Sequence, residues 1–289
     1  MIVLFTDTDT DMTPEEAGKW GCRLISMPYT VDGVTTFPYE DKDGFDFAPF
    51  YETLRTGVVP TTSAVTREKY INSFEPVFAA GDDIMYVHFS RAMSGTFESM
   101  DVALAELKEK YPERKFYAID TRMITIGSLA IVREIAQMLR DGKTPEEIME
   151  WSDREIDHYA VYFFVDDLNY LRHSGRVSGI AGIMGTLLGV RPIINMNAEG
   201  KMVAVGKEKG RIRAIERLIK YMEELGDDVA SHRIIIGHAD AADIADELAE
   251  MIRARFGEDV EIETVMVNPT IGSHSGPDSV GVCFHSKQR

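Results

Sequence analysis

Ile84-Met85-Tyr86-Val87-His88-Phe89, followed by Ser90-Arg91-Ala92-Met93-Ser94-Gly95-Thr96, is the stretch that decides the fold. The first segment is apolar without alternation, as expected of a strand buried on both faces. The second turns the chain into a helix over 94–110, with apolar residues at Phe97, Met100, Ala103, Leu104 and Leu107. A strand at 116–119 and a strongly apolar helix at 126–139 repeat the unit. Strand and helix in alternation predict a mainly parallel sheet with helices on both faces. In such sheets ligands bind beyond the carboxyl ends of the strands. The loops 6–10, 90–96 and 120–127 lie there.

The flanking sequence extends the pattern. Residues 2–5 form a short strand. Thr13-Pro14-Glu15-Glu16 opens a helix, with Thr13 as cap and Glu16 completing a capping box. Residues 22–31 are expected as one strand, turned by Asp32-Gly33 into a second at 34–39. Helices follow at 47–55 and 66–80, each ended by a glycine. Beyond a helix over 144–158 the character changes. Strands at 159–165, 191–195 and 202–205, the last two joined by Asn197-Ala198-Glu199-Gly200, mix with helices at 212–225 and 241–255. Further strands are expected at 233–236, 260–267 and 280–284, and Ser178 is expected to cap a helix over 179–188. This half predicts a mixed sheet with helices on one side. The fold class is α/β in two domains, 1–155 and 156–289.

Composition narrows the function. Domains usually run ~100–200 residues, so 289 residues suit two. Hydrophobic residues make up 44% and charged residues 27%, enough for a full core. A net charge of −17 argues against nucleic acid and anionic membranes as default partners. One basic stretch stands out at 201–217, with Lys201, Lys207, Lys209, Arg211, Arg213 and Arg217. Cys22 and Cys283 both lie in apolar runs and are expected as buried, reduced thiols. The first residues form a strand rather than a signal peptide, and no apolar run reaches the roughly 18 residues that span a bilayer. The expected location is the cytoplasm.

Several chemistries find no support. Asp7, Asp9 and Asp11 alternate as in a calcium loop, but Met12 and Gly18 stand where that loop needs Gly and Glu. The acids otherwise suit the start of a helix. The seven histidines are dispersed without metal-ligand spacing. No Walker A or Gly-x-Gly-x-x-Gly motif occurs, so no bound nucleotide or other cofactor is expected.

What remains are three hydroxyl-rich segments at the edges of apolar runs: Pro60-Thr61-Thr62-Ser63, Met93-Ser94-Gly95-Thr96, and a loop from Ile271 through Gly272-Ser273-His274-Ser275-Gly276 to Pro277. Their neutral donors suit holding an anionic head group without attacking it. Ser94 has two compatible readings, an N-cap and a hydroxyl aimed with helix amides at an anion. Activation of Ser94 by His274 would instead make a Ser/His acyl hydrolase or acyltransferase. Gly179, Gly182, Gly185 and Gly189 leave one helix face bare, for close helix packing or a slender apolar ligand. Arg176 stands either as a hydrated surface residue or as a group recognising phosphate or carboxylate.

Taken in order, these segments resemble the DegV family of bacterial fatty-acid-binding proteins. The resemblance runs nearly end to end. It includes Thr6-Asp7-Thr8, Thr61-Thr62-Ser63, Ser94-Gly95-Thr96, Asp120-Thr121, Tyr170 to Ser178, Leu188 to Ile194, and Gly272 to Pro277. It implies a long-chain fatty acid buried between or beside two α/β domains, with Thr62, Ser94 and His274 on the carboxylate. Arg176 looks like the family arginine near the mouth, and Ser63, Gly95 and Thr96 would form a secondary or partner-facing set. Some family members present the acid to a separate fatty acid kinase, which uses ATP to make an acyl phosphate. The chain would then be a lipid-binding subunit and not itself an enzyme. Ala64-Val65 and Ser174-Gly175-Arg176 depart from the family's usual Gln-Pro and Gly-Gly-Arg, which puts the partner-facing surface in doubt. Physical logic supports the ligand class. A buried carboxylate must be paired or hydrogen-bonded, and the 15 Met and 14 Phe can mould around a flexible tail.

Overall fold

A computed structural model describes residues 1–40, 46–179 and 189–288. The first half runs β1 (Ile2–Asp7), α1 (Pro14–Trp20), β2 (Cys22–Ile25), β3 (Tyr29–Val31), β4 (Val34–Thr36), α2 (Ala48–Arg55), β5 (Thr61–Thr62), α3 (Arg67–Ala79), β6 (Asp83–His88), α4 (Thr96–Lys110), β7 (Phe116–Asp120), α5 (Thr125–Arg140) and α6 (Pro145–Glu155). The second runs β8 (Tyr159–Phe164), α7 (Leu168–Ser174), β9 (Val177–Ser178), β10 (Val190–Met196), β11 (Met202–Lys209), α8 (Arg211–Leu225), β12 (Ile234–His238), α9 (Ala242–Phe256), β13 (Ile262–Met266), α10 (Pro269–Ser275) and β14 (Val280–His285).

The expected parallel sheet is present. Its order is β2-β1-β6-β7 and every neighbouring pair is parallel. Helix α3 covers it with Phe74, whose ring meets Phe5 and Phe116 edge-on at 5.3 Å and 5.2 Å. The second half forms a mixed sheet of seven strands in the order β13-β12-β14-β8-β10-β11-β9. Only β12–β13 and β11–β9 are parallel within it. Helices α8 and α9 bury Leu218, Met222, Leu248 and Ile252 against one face.

The other face is not bare, contrary to the expectation of helices on one side alone. It is covered by α5, which packs on β6 of the first sheet and on β8, β12 and β14 of the second. A helix apolar over most of its circumference needs partners on more than one side, and 126–139, polar only at Ser128, Arg133, Glu134 and Gln137, is such a sequence. One apolar core therefore runs from Phe5 and Ile84 through Ile131 to Val161 and Ile235. Arg133 fastens the same junction. It reaches Glu16 on α1 and Glu263 on β13, the latter at 2.6 Å.

Several local expectations change. The strand over 22–31 splits at Ser26-Met27-Pro28, because Pro28 has no N–H for the ladder. Its second part, β3, leaves the parallel sheet; it forms the expected hairpin with β4 around Asp32-Gly33 and pairs on its other side with β5, which the sequence reading did not contain. The strand at 34–39 ends at Thr36, two residues before Pro38. Glu16 forms only half a capping box. Its N–H donates to Thr13 Oγ1, but its carboxylate is drawn to Arg133. Thr144 and Glu147 do form the complete box. Ser178 lies in β9, paired with Val203, rather than capping a helix. Gly182 and Gly185 lie outside the described residues, as does most of the helix expected there. The hairpin strand expected at 202–205 extends to Lys209. The segment read as a loop around His274 is largely the helix α10.

Candidate functional site

The three hydroxyl-rich segments meet at one cavity. Thr62, Ser94 and His274 all line it, together with Ser63 and Arg176. Its volume is about 930 Å³, including space open at the mouth. The wall behind these groups is mostly apolar, with Phe89, Ile126, Val161, Phe163, Leu171 and Met202. Thus α5, α7, α10, β5, the mixed sheet and the segments that follow β1 and β6 contribute.

Each polar segment is fixed by contacts on the side away from the cavity. Thr61 and Thr62 pair with Thr30 and Tyr29 of β3, which sets the direction of the Thr62 side chain. Helix α10 begins at Asn268-Pro269. Asn268 Oδ1 accepts from the N–H groups of Thr270 and Ile271 at 2.9 Å and 3.2 Å, and Pro269 occupies the first helical position. Asn268 is itself held by Asp11. Its backbone N–H and its side-chain amide both donate to Asp11 Oδ1, at 2.9 Å and 2.8 Å.

The glycines flanking His274 let α10 press against two buried tyrosines. A Cβ on Gly272 would lie 2.5 Å from Tyr51 Oη. Gly276 has φ +73°, and a Cβ there would lie 2.4 Å from the Tyr170 ring. Tyr51 donates to the Val267 carbonyl at 2.8 Å, and Tyr170 donates to the Leu54 carbonyl at 2.7 Å.

His274 Nε2 and Thr62 Oγ1 are hydrogen-bonded at 3.0 Å, joining residues more than two hundred positions apart. Burial pushes the His274 pKa down to about 4, and the nearby Arg176 guanidinium adds to the shift. The ring is therefore neutral at physiological pH and a poor base. Ser94 is not the N-cap of α4. Gly95 takes that place, and Ser94 sits one residue earlier in extended backbone, its Oγ accepting the Thr96 N–H at 3.2 Å. No imidazole is bonded to Ser94 Oγ among the described residues. A neutral ring beside a cation is not the oriented, carboxylate-backed base that nucleophilic catalysis needs.

The secondary set separates. Ser63 and Arg176 are exposed and line the cavity mouth. Arg176 also donates to the Ser174 carbonyl at 2.6 Å. Gly95 is exposed but is not among the lining residues. Thr96 is buried, so it faces no partner. Its Oγ1 accepts the Val65 N–H at 3.0 Å and bonds Tyr70 Oη at 3.0 Å, tying the loop after β5 to α3 and α4.

The acidic run 7–11 is buried rather than set at a solvated helix start. Asp7 accepts from the Phe89 N–H and from Tyr86 Oη, both at 3.2 Å. Burial raises the pKa of Asp7 and of Asp11 to about 7. Among the described residues no group of three His, Cys, Asp or Glu side chains is arranged to hold a metal ion. Nor is any helix there long and apolar enough to cross a membrane.

A family model described as an uncharacterised protein of the DegV family matches residues 1–287. The chain belongs to the DegV family. A DegV domain-containing protein of Clostridium perfringens is 33% identical over 98% of this chain and 96% of its own length. Among solved structures, a DegV lipid-binding protein of Thermotoga maritima superposes with a TM-score of 0.85 at 24% identity, covering 100% of this chain and 99% of its own. A stearic acid-binding protein of Eubacterium ventriosum gives a TM-score of 0.85 at 20% identity, over 99% of each chain. At such identities the superpositions establish the DegV fold.

Sequence reading missed the parts that hold this DegV site together. Asn268-Pro269-Thr270 carries a recognisable cap-and-proline helix start. Tyr51, Tyr170 and Asp11 act through contacts distant in sequence and left no local signal.

Proposed function

We propose that this chain binds a long-chain fatty acid, with its carboxylate on Thr62 and Ser94, His274 completing the hydrogen-bond set through Thr62, and its tail in the apolar cavity. The observation that carries this reading is the Thr62–His274 hydrogen bond in the wall of a cavity that is otherwise mostly apolar. Neutral donors can satisfy a buried carboxylate without a salt bridge. The tail contributes about 0.8 kcal/mol for each methylene it buries, so it dominates affinity. The Eubacterium ventriosum relative in fold, named as binding stearic acid, supports the same ligand class here.

In this reading the chain is a lipid-binding subunit of the cytoplasm. Its two units, 1–155 and 156–289, complete the lipid site together. Ser63 and Arg176 at the mouth face a separate kinase, which draws on ATP and turns the exposed carboxylate into an acyl phosphate.

Denaturing lipid extraction and mass spectrometry of the purified protein test the first step. A long-chain acid at near-stoichiometric yield is expected. Absence of any acid, with no uptake when a delipidated sample is titrated, would remove the proposal.

A further inference from the structure

Asp9 is the one member of the buried acidic run whose carboxyl faces the cavity. Asp7 is occupied by the Phe89 and Asp9 N–H groups and by Tyr86; Asp11 Oδ1 is occupied by Asn268, and its Oδ2, also unpartnered among the described residues, belongs to a residue that does not line the cavity. Asp9 lines the cavity, is 4% exposed, and its Oδ1 has no hydrogen-bond partner among the described residues. A buried acceptor without a partner is unfavourable and is rare without a role.

A short chain of contacts ties it to α10. Thr270 sits one helical turn before His274 and donates to the Met27 carbonyl at 2.8 Å. The Met27 N–H donates to Thr8 Oγ1 at 2.9 Å, and Thr8 precedes Asp9. Met27, Thr125 and Thr270 line the cavity with it. A fatty acid whose carboxylate lay at Thr62 would share the cavity with this carboxyl. Burial, followed by the charges of Asp7 and Asp11, holds the Asp9 pKa well above the usual carboxylate range. A carboxyl accepts a hydrogen bond in either protonation state and donates one as well when protonated.

We infer that Asp9 selects fatty acids carrying a hydroxyl within the chain, by hydrogen bonding that hydroxyl in an otherwise apolar stretch. The inference rests on the fatty-acid reading above. A wholly apolar pocket discriminates weakly between a methylene and a hydroxymethylene. A polar group built into the wall discriminates much more, because the plain chain leaves it unpaired.

The test is competitive displacement of a fluorescent fatty acid from the delipidated full chain. Competitors are long-chain acids bearing one hydroxyl at successive positions, and the unsubstituted acid. Wild type is expected to favour one position, or two adjacent positions, over the rest of the series by roughly tenfold or more. In Asp9→Leu the ratio of hydroxylated to plain affinity at that position should fall to near unity. Asp9→Asn, which keeps the shape and the hydrogen-bonding capacity, should retain part of the preference. A flat positional series in wild type, which needs no variant to fold, would overturn the inference. So would an unchanged ratio in Asp9→Leu. Binding of the plain acid together with a flat hydroxylated series would sink the role of Asp9 alone, whereas failure of every acid to displace the probe would sink the fatty-acid reading beneath it.

Discussion

Replacing Thr62 by Val removes one hydroxyl and keeps a β-branched side chain in strand β5, so the local backbone is undisturbed. The hydroxyl stands 3.0 Å from His274 Nε2. The ring is neutral, since its pKa is pushed down to about 4, and it therefore carries one N–H. If the Thr62 hydroxyl donates to a carboxylate, Nε2 must be the donor to Oγ1. The arrangement is then a relay from imidazole to hydroxyl to carboxylate. Thr62→Val deletes its last link. A hydrogen bond to a charged group contributes roughly 1.5–3 kcal/mol, so affinity should fall about 10- to 150-fold. His274→Phe deletes the first link and should cost less, because the hydroxyl can still donate. In the double variant the second change should add almost nothing, giving a coupling of about 1 kcal/mol. Fluorescent fatty-acid displacement near neutral pH measures all four proteins, with urea unfolding as the control for the fold. Strictly additive losses would show that His274 touches the ligand directly, and the relay would be wrong. Unchanged affinity in both single variants would place the head group elsewhere.

Three further outcomes follow from the same geometry. Gly272→Ala drives a methyl against Tyr51 Oη, which a Cβ would meet at 2.5 Å; overpacking of about 1–3 kcal/mol should lower the melting temperature by a few degrees and weaken acid binding, and a wild-type melting curve would refute the close fit. Asp11→Asn keeps the acceptor for Asn268 but cannot ionise. With the folded pKa at about 7 against an ordinary 3.8, wild type loses stability as pH rises between those values. Asp11→Asn should therefore gain on wild type by up to a few kcal/mol near pH 8 and by little near pH 4, and an equal urea-midpoint difference at both would contradict the assignment. Arg176→Glu reverses an exposed charge at the mouth; it should reduce acyl-phosphate formation with the kinase more than it reduces lipid binding, and parallel losses would argue against a partner-facing role.

The parts of this fold that were legible in sequence are those with a local signature. The run 84–89 and the apolar helix at 126–139 declare a parallel sheet through hydrophobicity alone, and Thr144-Pro145 declares a helix start. Strand β5 of the small sheet was hidden because it is two residues long and gains its strand character only by pairing with β3. Helix α10 was hidden because Gly, Ser and His are modest helix formers. It is held by Asn268, Asp11 and the two tyrosines, all tertiary contacts. The hydroxyl residues of the site were visible by type. Their convergence came only through the family resemblance, since no local signal brings together residues this far apart in sequence. Thr96 shows the limit of reading by type. It belongs to the same hydroxyl-rich motif as Ser94, yet it faces the interior and clamps the loop after β5.

The neutrality of the cradle bears on what happens to a bound acid. Arg176 is exposed at the rim, where a charge pair is screened and contributes little. A carboxylate seated on Thr62 and Ser94, with His274 behind Thr62, would be held by single, directional hydrogen bonds rather than by a bidentate guanidinium clamp. Hydroxyl donors leave lone pairs of the carboxylate unengaged on the side facing the mouth. They also hold the group as an anion, and the neutral imidazole of His274 cannot compete for its charge. An oxygen kept anionic, incompletely coordinated and close to solvent remains a nucleophile. A site built for storage alone would gain from burying the head group against a salt bridge. A site that hands its ligand to a phosphorylating partner has reason to hold the carboxylate in place and leave one oxygen free to react.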